Sequence, residues 1–232
     1  VCRPDTEVVL HGMHPDTYRT EYPGNDIRYA ALQHLHTNQF ILAGLEAERQ
    51  GFDAYAICTI PDVGLRESRS ILNIPAVGYG EAAMLLACTY GERFGILNFI
   101  SEISEQLAGN ARRIGLGDRL AGVRHVGFTF DDVVVGFDSP DSVISRFQES
   151  ARAMIRDGAE VIIPGEAPLG VLLAQNGINR VDDAPIVDGL AATMKMAELQ
   201  VDLRRSIGIS PASGGYYTDR VPRDRVVELL NF

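Results

Sequence analysis

The chain has no tryptophan, only three cysteines and no long hydrophobic run among its 232 residues. Its apolar runs fall far short of the roughly 20 residues that a membrane-spanning helix needs, and no signal-peptide pattern opens the sequence. Cys2, Cys58 and Cys88 form neither a CxxC motif nor an even disulfide framework. The sequence therefore predicts a cytoplasmic protein in a reducing compartment, without contact to a membrane.

Positive charge is also scarce, because 21 Lys and Arg residues face 31 Asp and Glu residues and leave a formal net charge of -10. A polyanion would be repelled, and no stripe rich in Lys or Arg offsets that repulsion. Tryptophan is absent and Tyr and Phe are modest in number, so platforms that stack single-stranded bases are also lacking. We predict no nucleic-acid partner.

Metal ligands in a usable arrangement are lacking as well. His34 and His36 are two residues apart on a predicted helix, so their side chains point in different directions. His11 and His14 have no cluster of cysteines or carboxylates beside them in the sequence to complete a site. The sequence predicts no metal site.

What the sequence does contain is a regular alternation of strand and helix patterns. Strands are predicted at 6–10, 54–59, 75–79, 94–98, 122–128, 161–164 and 185–187. Helices are predicted at 27–50, 62–72, 81–90, 102–114, 140–157, 169–175 and 189–206. Hydrophobic residues make up 46% of the chain, which is enough for a sizeable core. This alternation predicts an α/β fold built on parallel sheets.

Two stretches, 51–64 and 158–170, share one pattern. Each has a glycine, an acidic residue, a short apolar run, a polar residue eight positions after the glycine and a proline two residues later. The polar residue is Thr59 in the first stretch and Glu166 in the second. Both copies are typical of a buried strand that ends in a loop and opens a helix.

A second pair of similar stretches, 75–84 and 185–194, follows in the same order. The repeats predict two pseudo-symmetric, flavodoxin-like halves with the active site in the cleft between them. The predicted organisation is a first half at 1–91, a second half at 92–206 and a tail at 207–232. We expect the last helix to pack back on the first half. Tyr216 and Tyr217 in the tail hint at a partner subunit, so a homo-oligomer is predicted.

The first half is shorter at its start than the second. The second half begins with a strand at 94–98 and a helix at 102–114, whereas the first begins at the equivalent of the 122–128 strand. About 20 to 30 residues are therefore missing at typical element lengths, and residue 1 is Val rather than Met. We expect the given chain to start inside its natural sequence, or else to have a different N-terminus.

Polar side chains stand where the predicted strands end. Thr59, Tyr79, Asn98, Glu166 and Asp188 each lie at or just after the carboxyl end of a strand, where open parallel sheets bind their ligands. Two pseudo-symmetric halves would bring Thr59 and Glu166 to opposite walls of one cleft. These two residues are the predicted catalytic pair.

Glu166 is flanked by Gly165 and Ala167, so little side-chain bulk stands beside its carboxylate. The helix that follows presents free backbone N–H groups and a positive dipole end, which suit an anionic substrate or a developing enolate. Glu166 either acts as a general acid or base or caps its own helix. Asp188 has the same two interpretations, a cleft residue or a cap.

Cys58 lies one residue before Thr59, so on a strand its side chain points to the other face. It is either a buried core thiol or, if the strand bulges, a nucleophile in the cleft. Arg66 and Arg69 follow on the next helix and either bind a carboxylate or form a solvated helix face.

Four segments together resemble the aspartate/glutamate/hydantoin racemase superfamily, and most of all its hydantoin racemase branch. They are AICTIPDVGL at 56–65, IPAVGYGEAA at 74–83, GAEVIIPGE at 158–166 and APIVDG at 184–189. The resemblance covers most of the chain up to about Ser206. It implies two pseudo-symmetric α/β halves and an enzyme with no metal and no cofactor. It also implies removal and return of a proton at a carbon next to a carbonyl, by one cysteine from each half.

This sequence departs from the family pattern at both cysteines. Thr59 stands at the first position, since Asp62 and Gly64 fall where the motif has its Asp and Gly, and Glu166 stands at the second. A two-thiol racemase is therefore not encoded unless Cys58 shifts its register. A threonine hydroxyl is a very poor base, whereas Glu166 can be one. The family's opening strand, with its substrate-binding Asn-Pro-Asn loop, is the part that this chain lacks.

The resemblance implies a cofactor-independent racemase or isomerase that acts next to the carbonyl of a small cyclic amide, hydantoin-like, or of a carboxylate. Glu166 would move the proton, and Thr59, Asn98 and nearby backbone N–H groups would hold the oxyanion. The residues predicted to bind this small-molecule substrate are Asn98, Tyr79, Gly165, Ala167 and Asp188. The alternatives are a hydrolase or decarboxylase that uses the same cleft, and a binding protein that has lost catalysis.

Overall fold

Strands and helices alternate along the chain, and the predicted α/β class is confirmed. The structure is a computed structural model that describes residues 1–18, 20 and 22–230. The α-helices are α1 (Gly24–Ile27), α2 (Ala30–Arg49), α3 (Leu65–Ile71), α4 (Tyr79–Ala87), α5 (Ser104–Arg113), α6 (Phe130–Gly136), α7 (Asp141–Arg156), α8 (Ala167–Gln175), α9 (Gly189–Ile207) and α10 (Arg223–Leu230). The β-strands are β1 (Tyr55–Ile57), β2 (Ala76–Gly78), β3 (Phe94–Asn98), β4 (Leu120–His125), β5 (Val161–Pro164), β6 (Arg180–Val181) and β7 (Ala184–Pro185).

Parallel strands form two separate sheets, one in each predicted half. In the first sheet β1 pairs with β2, from Tyr55 opposite Ala76 to Ile57 opposite Gly78. In the second sheet β3 lies between β4 and β5. Every residue of β3 and β5 is buried, because helices cover both faces of such a sheet.

The larger core belongs to the second sheet. One cluster of buried side chains fills this half and extends into α4 of the first half. Helix α7 shows how the sequence builds it, since Val143, Phe147, Ala151 and Met154 recur at helical spacing and are all buried. Each large side chain buried in this way contributes about 1.5 to 3 kcal/mol. The sheet that carries the second predicted site residue, Glu166, is therefore a rigid support.

Helix α9 ties the molecule together, because it returns from the second half and packs against α4, β1 and β2. It ends at Gly208, whose φ of 73° is a left-handed conformation that glycine adopts without strain. It also anchors the N-terminal segment: Glu198 accepts hydrogen bonds from the backbone N–H of Arg3 at 2.8 Å and the hydroxyl of Thr6 at 2.7 Å. The division of the chain at residue 91 stays a prediction.

The strand predicted at 6–10 is wrong. These residues are all described, and they form no strand. Val8, Val9 and Leu10 are exposed at 47%, 55% and 92%, so the apolar pattern is not used for packing. A strand must share its backbone hydrogen bonds with a neighbour, and the first sheet ends with β1 and β2.

Helix α6 was not predicted, and its run of valines at 133–135 has a slightly low helix propensity. A capping box starts it nonetheless. The backbone N–H of Asp132 donates to the Thr129 hydroxyl, and the Asp132 carboxylate accepts the backbone N–H of Thr129 at 2.8 Å.

The strand predicted at 185–187 is shorter in the structure. The strand β7 pairs antiparallel with β6, and only Ile186 forms a parallel bridge to β5.

The tail folds on α3 of the same chain. The guanidinium of Arg66 lies over the ring of Tyr217, 3.3 Å from its centroid. The guanidinium of Arg220 donates to the carbonyl oxygen of Leu72 at the end of α3. Residues 231 and 232 of the predicted tail lie outside the described residues. The homo-oligomer stays a prediction.

Candidate active site

Glu166 follows β5 and stands at the N-cap position of α8 with an extended backbone. Within the described chain its carboxylate makes no capping bond to α8. It reaches instead to the loop after β3. The backbone N–H of Phe99 donates to its two oxygens at 3.1 and 3.2 Å, and the N–H of Ile100 donates to Oε1 at 3.2 Å. Glu166 is therefore not the cap of its own helix, and its carboxyl faces a nest of two amides.

The environment of Glu166 favours the protonated carboxyl. The residue is only 7% exposed. Burial raises its pKa to about 8, although the two N–H donors pull the pKa in the opposite direction. A carboxyl with this pKa both releases and regains a proton near neutral pH, which is the property that a general acid or base needs.

Asn98 shapes the loop that holds Glu166. It is fully buried, and its amide donates to the carbonyl of Ile100 at 2.7 Å and to the hydroxyl of Ser104 at 3.1 Å. Its Oδ1 is buried and has no hydrogen-bond partner among the described residues. Gly165 lies against it, since a Cβ there would stand 2.9 Å from that of Asn98. The structure thus brings Asn98, Gly165 and Glu166 together.

Thr59 follows β1, in the other half. Its hydroxyl oxygen is buried and is unpaired within the part of the chain that the structure describes. Its carbonyl accepts the backbone N–H of Asp62 at 3.0 Å. The amide of Asn110 in α5 donates to the carbonyl of Pro61 at 2.9 Å, so this loop touches the second half. Cys58, next to Thr59, is an exposed free thiol and not the core residue that one interpretation expected.

Tyr79 and Asp188 have clear structural partners. Tyr79 is fully buried, and its hydroxyl donates to the carbonyl of Pro164 across the two halves at 3.1 Å. Asp188 caps α9 by accepting the N–H of Ala191 at 3.0 Å. Ala167, half-buried, is the first residue of α8. Substrate contact by these three residues stays a prediction.

The two arginines after β1 also have partners. Arg69 forms a bidentate ion pair with Glu81, in which Nη2 donates to Oε1 at 2.6 Å and Nη1 donates to Oε2 at 3.0 Å. Arg66 lies against Tyr217 of the tail. Binding of a substrate carboxylate by either arginine therefore competes with an existing contact.

Asp62, which the sequence shows only as part of the family motif, is a buried carboxylate with a structural role that was not predicted. It accepts the N–H groups of Gly80 at 2.9 Å and Glu81 at 2.7 Å, and so caps α4 from a distant loop. Gly78 holds the N-cap position of α4, and a Cβ there would overlap the Asp62 carboxylate. The internal repeat could have indicated this cap, because it aligns Gly78 with Asp188, the residue that caps the equivalent helix of the other half.

We predict that Asp62→Asn makes stability less dependent on pH. Burial raises the pKa of Asp62 from 3.8 to about 7, so the folded state holds this proton more tightly than the unfolded chain. Its contribution is complete below about pH 4 and is lost as the pH rises through 7. The measurement is the free energy of unfolding by urea between pH 4 and 8. The decline should be shallower in Asp62→Asn, and Asp138→Asn, at an exposed site, should keep the wild-type slope. Equal slopes in all three proteins would contradict the prediction.

Two further expectations concern membranes and metals. In the described part of the chain, every helix is too short or too polar to cross a membrane. Among the same residues, His, Cys, Asp and Glu side chains form no group of three or more that could hold a metal ion.

The chain belongs to the Asp/Glu/Hydantoin racemase family, whose model matches residues 2–197. The hydantoin racemase of Pseudomonas sp. (strain NS671) is 30% identical over 160 residues, which cover 68% of this chain and 62% of that protein. The hydantoin racemase of Rhizobium meliloti is 28% identical over 155 residues, or 66% of this chain and 62% of that protein. The chain thus matches less than two thirds of the length of these relatives.

Solved structures support the fold. Allantoin racemase from Pseudomonas fluorescens has a TM-score of 0.75 at 24% identity, over 96% of this chain and 88% of that one. Allantoin racemase from Klebsiella pneumoniae has a TM-score of 0.67 at 21% identity, over 80% of this chain and 73% of that one. The predicted superfamily and its two-half α/β fold are confirmed. That Thr59 and Glu166 occupy the positions of the family's cysteines stays a prediction.

Proposed function

We propose that this protein is a racemase or isomerase that moves a proton at a carbon next to a carbonyl, with Glu166 as its general acid and base. One observation carries the proposal: a buried carboxyl is held on the amides of Phe99 and Ile100. This burial raises its pKa to about 8. An ordinary carboxylate is a much weaker base. The family to which the chain belongs supports the same chemistry.

In this mechanism ionised Glu166 removes the proton. The C–H bond breaks, its electron pair moves into the carbonyl group, and an enolate forms. The enolate oxygen is held by backbone N–H groups, because the amide of Asn98 already donates to Ile100 and Ser104. Return of the proton from Glu166 restores the starting enantiomer. Inversion needs a proton on the opposite face, and Thr59 relays it there from water. The hydroxide that remains takes the proton from Glu166, which returns the enzyme to its starting state.

The substrate we favour is an uncharged cyclic amide of the hydantoin type. About a tenth of Glu166 is ionised at pH 7 if its pKa is about 8, and only that form is a base. A substrate with its own carboxylate would repel the ionised form, whereas a neutral ring does not. The names of the relatives point to the same class, since allantoin is itself a hydantoin with a ureido substituent.

We expect a single enantiomer of a 5-monosubstituted hydantoin to racemise in deuterated water and to gain deuterium at the reacting carbon. Optical rotation and mass spectrometry measure the two events on one sample. A 5,5-disubstituted hydantoin has no hydrogen at that carbon and serves as the unreactive control. A new product in place of exchange would instead identify a hydrolase or decarboxylase. Binding without exchange or product would identify a binding protein.

A further inference from the structure

Four aromatic rings, which we name the aromatic cluster, lie beside the loop that holds Glu166. They are Tyr22, Phe99, Phe128 and Phe130. Phe99 is central, because its backbone N–H donates to Glu166 and its ring lies 6.2 to 6.5 Å from the other three. Tyr22 and Phe130 are stacked, with centroids 4.0 Å apart and planes 7° apart. The cluster therefore touches the residue that positions the Glu166 carboxyl.

The stacked pair joins the two halves of the molecule. Tyr22 precedes α1 and α2 in the first half, and Phe130 is the first residue of α6 in the second. The capping box of Thr129 fixes Phe130 at the start of its helix. Gly24 fixes the other ring, since a Cβ at this position would overlap the ring of Tyr22. The contact is thus built from both sides.

Tyr22 reaches the loop that holds Glu166 through the ring of Phe99, 6.2 Å away between ring centroids. Burial, and next the negative charge on Glu166, raise the pKa of the Tyr22 hydroxyl. Phe99 is 6% exposed and Phe128 is 1% exposed, and the half-buried rings of Tyr22 and Phe130 form the outer side of the cluster. His125 also contacts this loop, with Nε2 lying 3.3 Å from the carbonyl of Phe99.

We propose that Tyr22 is a positioning residue for Glu166: stacked on Phe130, its ring closes the aromatic cluster over the Phe99 loop and keeps water from the carboxyl. Two effects follow. The closed cluster holds the Phe99 amide against Glu166, and it keeps the carboxyl in an apolar environment. The positioning of Glu166 by Tyr22 can be tested whether or not the proposed function is right. Only the expected effect on turnover rests on the proposed function.

The experiment follows the ionisation of Glu166 directly, by NMR titration of protein with ¹³C-labelled glutamate carboxyls. The Glu166 signal is identified by its loss in Glu166→Gln. We expect a midpoint near 8 in the wild type and in Tyr22→Phe, which keeps the stacked ring. In Tyr22→Ala the midpoint should fall by about one pH unit or more as water enters. Tyr90→Ala, which removes an exposed tyrosine, should leave it unchanged.

A second variant tests the same closure without changing the tyrosine. Gly24→Ala displaces the Tyr22 ring and should shift the midpoint in the same direction as Tyr22→Ala. His125 is present in every variant, so its charge does not explain a difference between them. A wild-type midpoint in both Tyr22→Ala and Gly24→Ala, with both proteins folded by circular dichroism, would overturn the proposal.

Turnover supplies the independent readout. If the proposed function holds, kcat in Tyr22→Ala reaches its plateau at a pH about one unit lower than in the wild type. The plateau itself is several-fold lower because the ionised carboxylate is a weaker base, and Tyr22→Phe keeps the wild-type profile. If the wild type exchanges no hydrogen with any hydantoin, the proposed function fails, and the titration alone decides the role of Tyr22.

Discussion

Glutamine in place of Glu166 is expected to lower the rate of hydrogen exchange and racemisation by about 10²- to 10⁴-fold, the usual contribution of a general acid or base. The amide has no proton that it can give and regain at neutral pH. The fold should survive, because Oε1 already accepts both amides, Phe99 at 3.1 Å and Ile100 at 3.2 Å. One amide oxygen can keep both bonds. The measurement is deuterium uptake by the substrate under saturating conditions.

The control for this loss is Glu149→Gln, which removes an exposed carboxylate from α7. It makes the same chemical replacement at a site far from the candidate active site in the sequence and should keep the wild-type rate. The melting temperature of Glu166→Gln should stay close to that of the wild type, which separates a chemical defect from a folding defect. Full exchange activity in Glu166→Gln would remove Glu166 from the mechanism.

The strands of the second half were predictable because burial on both faces leaves a clear pattern. Apart from Asn98, the runs at 94–98 and 161–164 have no polar side chain on either face, and β3 and β5 occupy these residues in the structure. The segment at 6–10 is apolar only at 8–10 and forms no strand, since a strand also depends on its neighbour. Local sequence reports propensity and burial, and it does not report the presence of a partner.

The location of Glu166 was predictable, but its partners were not. The repeat placed Glu166 at the end of a strand. Its hydrogen bonds go to amides 66 and 67 residues away, and any residue except proline offers such an amide. Asp62 shows the same limit, because it caps a helix that begins 17 positions later in the chain. When another loop supplies the cap, the sequence shows only a glycine at the N-cap position, where a capping side chain is expected.

Tyr79→Ala is expected to lower the free energy of unfolding by about 3 to 5 kcal/mol, the range for removing a large buried aromatic ring. The ring is fully buried and packs on Gly189, where a Cβ would overlap it. Native domains are stable by only about 5 to 15 kcal/mol, so this one change removes a large part of the total. Urea unfolding measures it, and Tyr90→Ala, at an exposed tyrosine, should cost far less.

Tyr79→Phe separates packing from substrate contact. It keeps the ring and removes only the hydroxyl that donates to Pro164 at 3.1 Å. The loss of that hydrogen bond should cost about 1 kcal/mol of stability. If Tyr79 only packs, KM and kcat stay at their wild-type values. If the hydroxyl binds the substrate, as the position at the end of a strand predicted, KM rises while the fold remains intact. A small change in unfolding for Tyr79→Ala would contradict the packing role itself, because it would mean that the two halves do not depend on this ring.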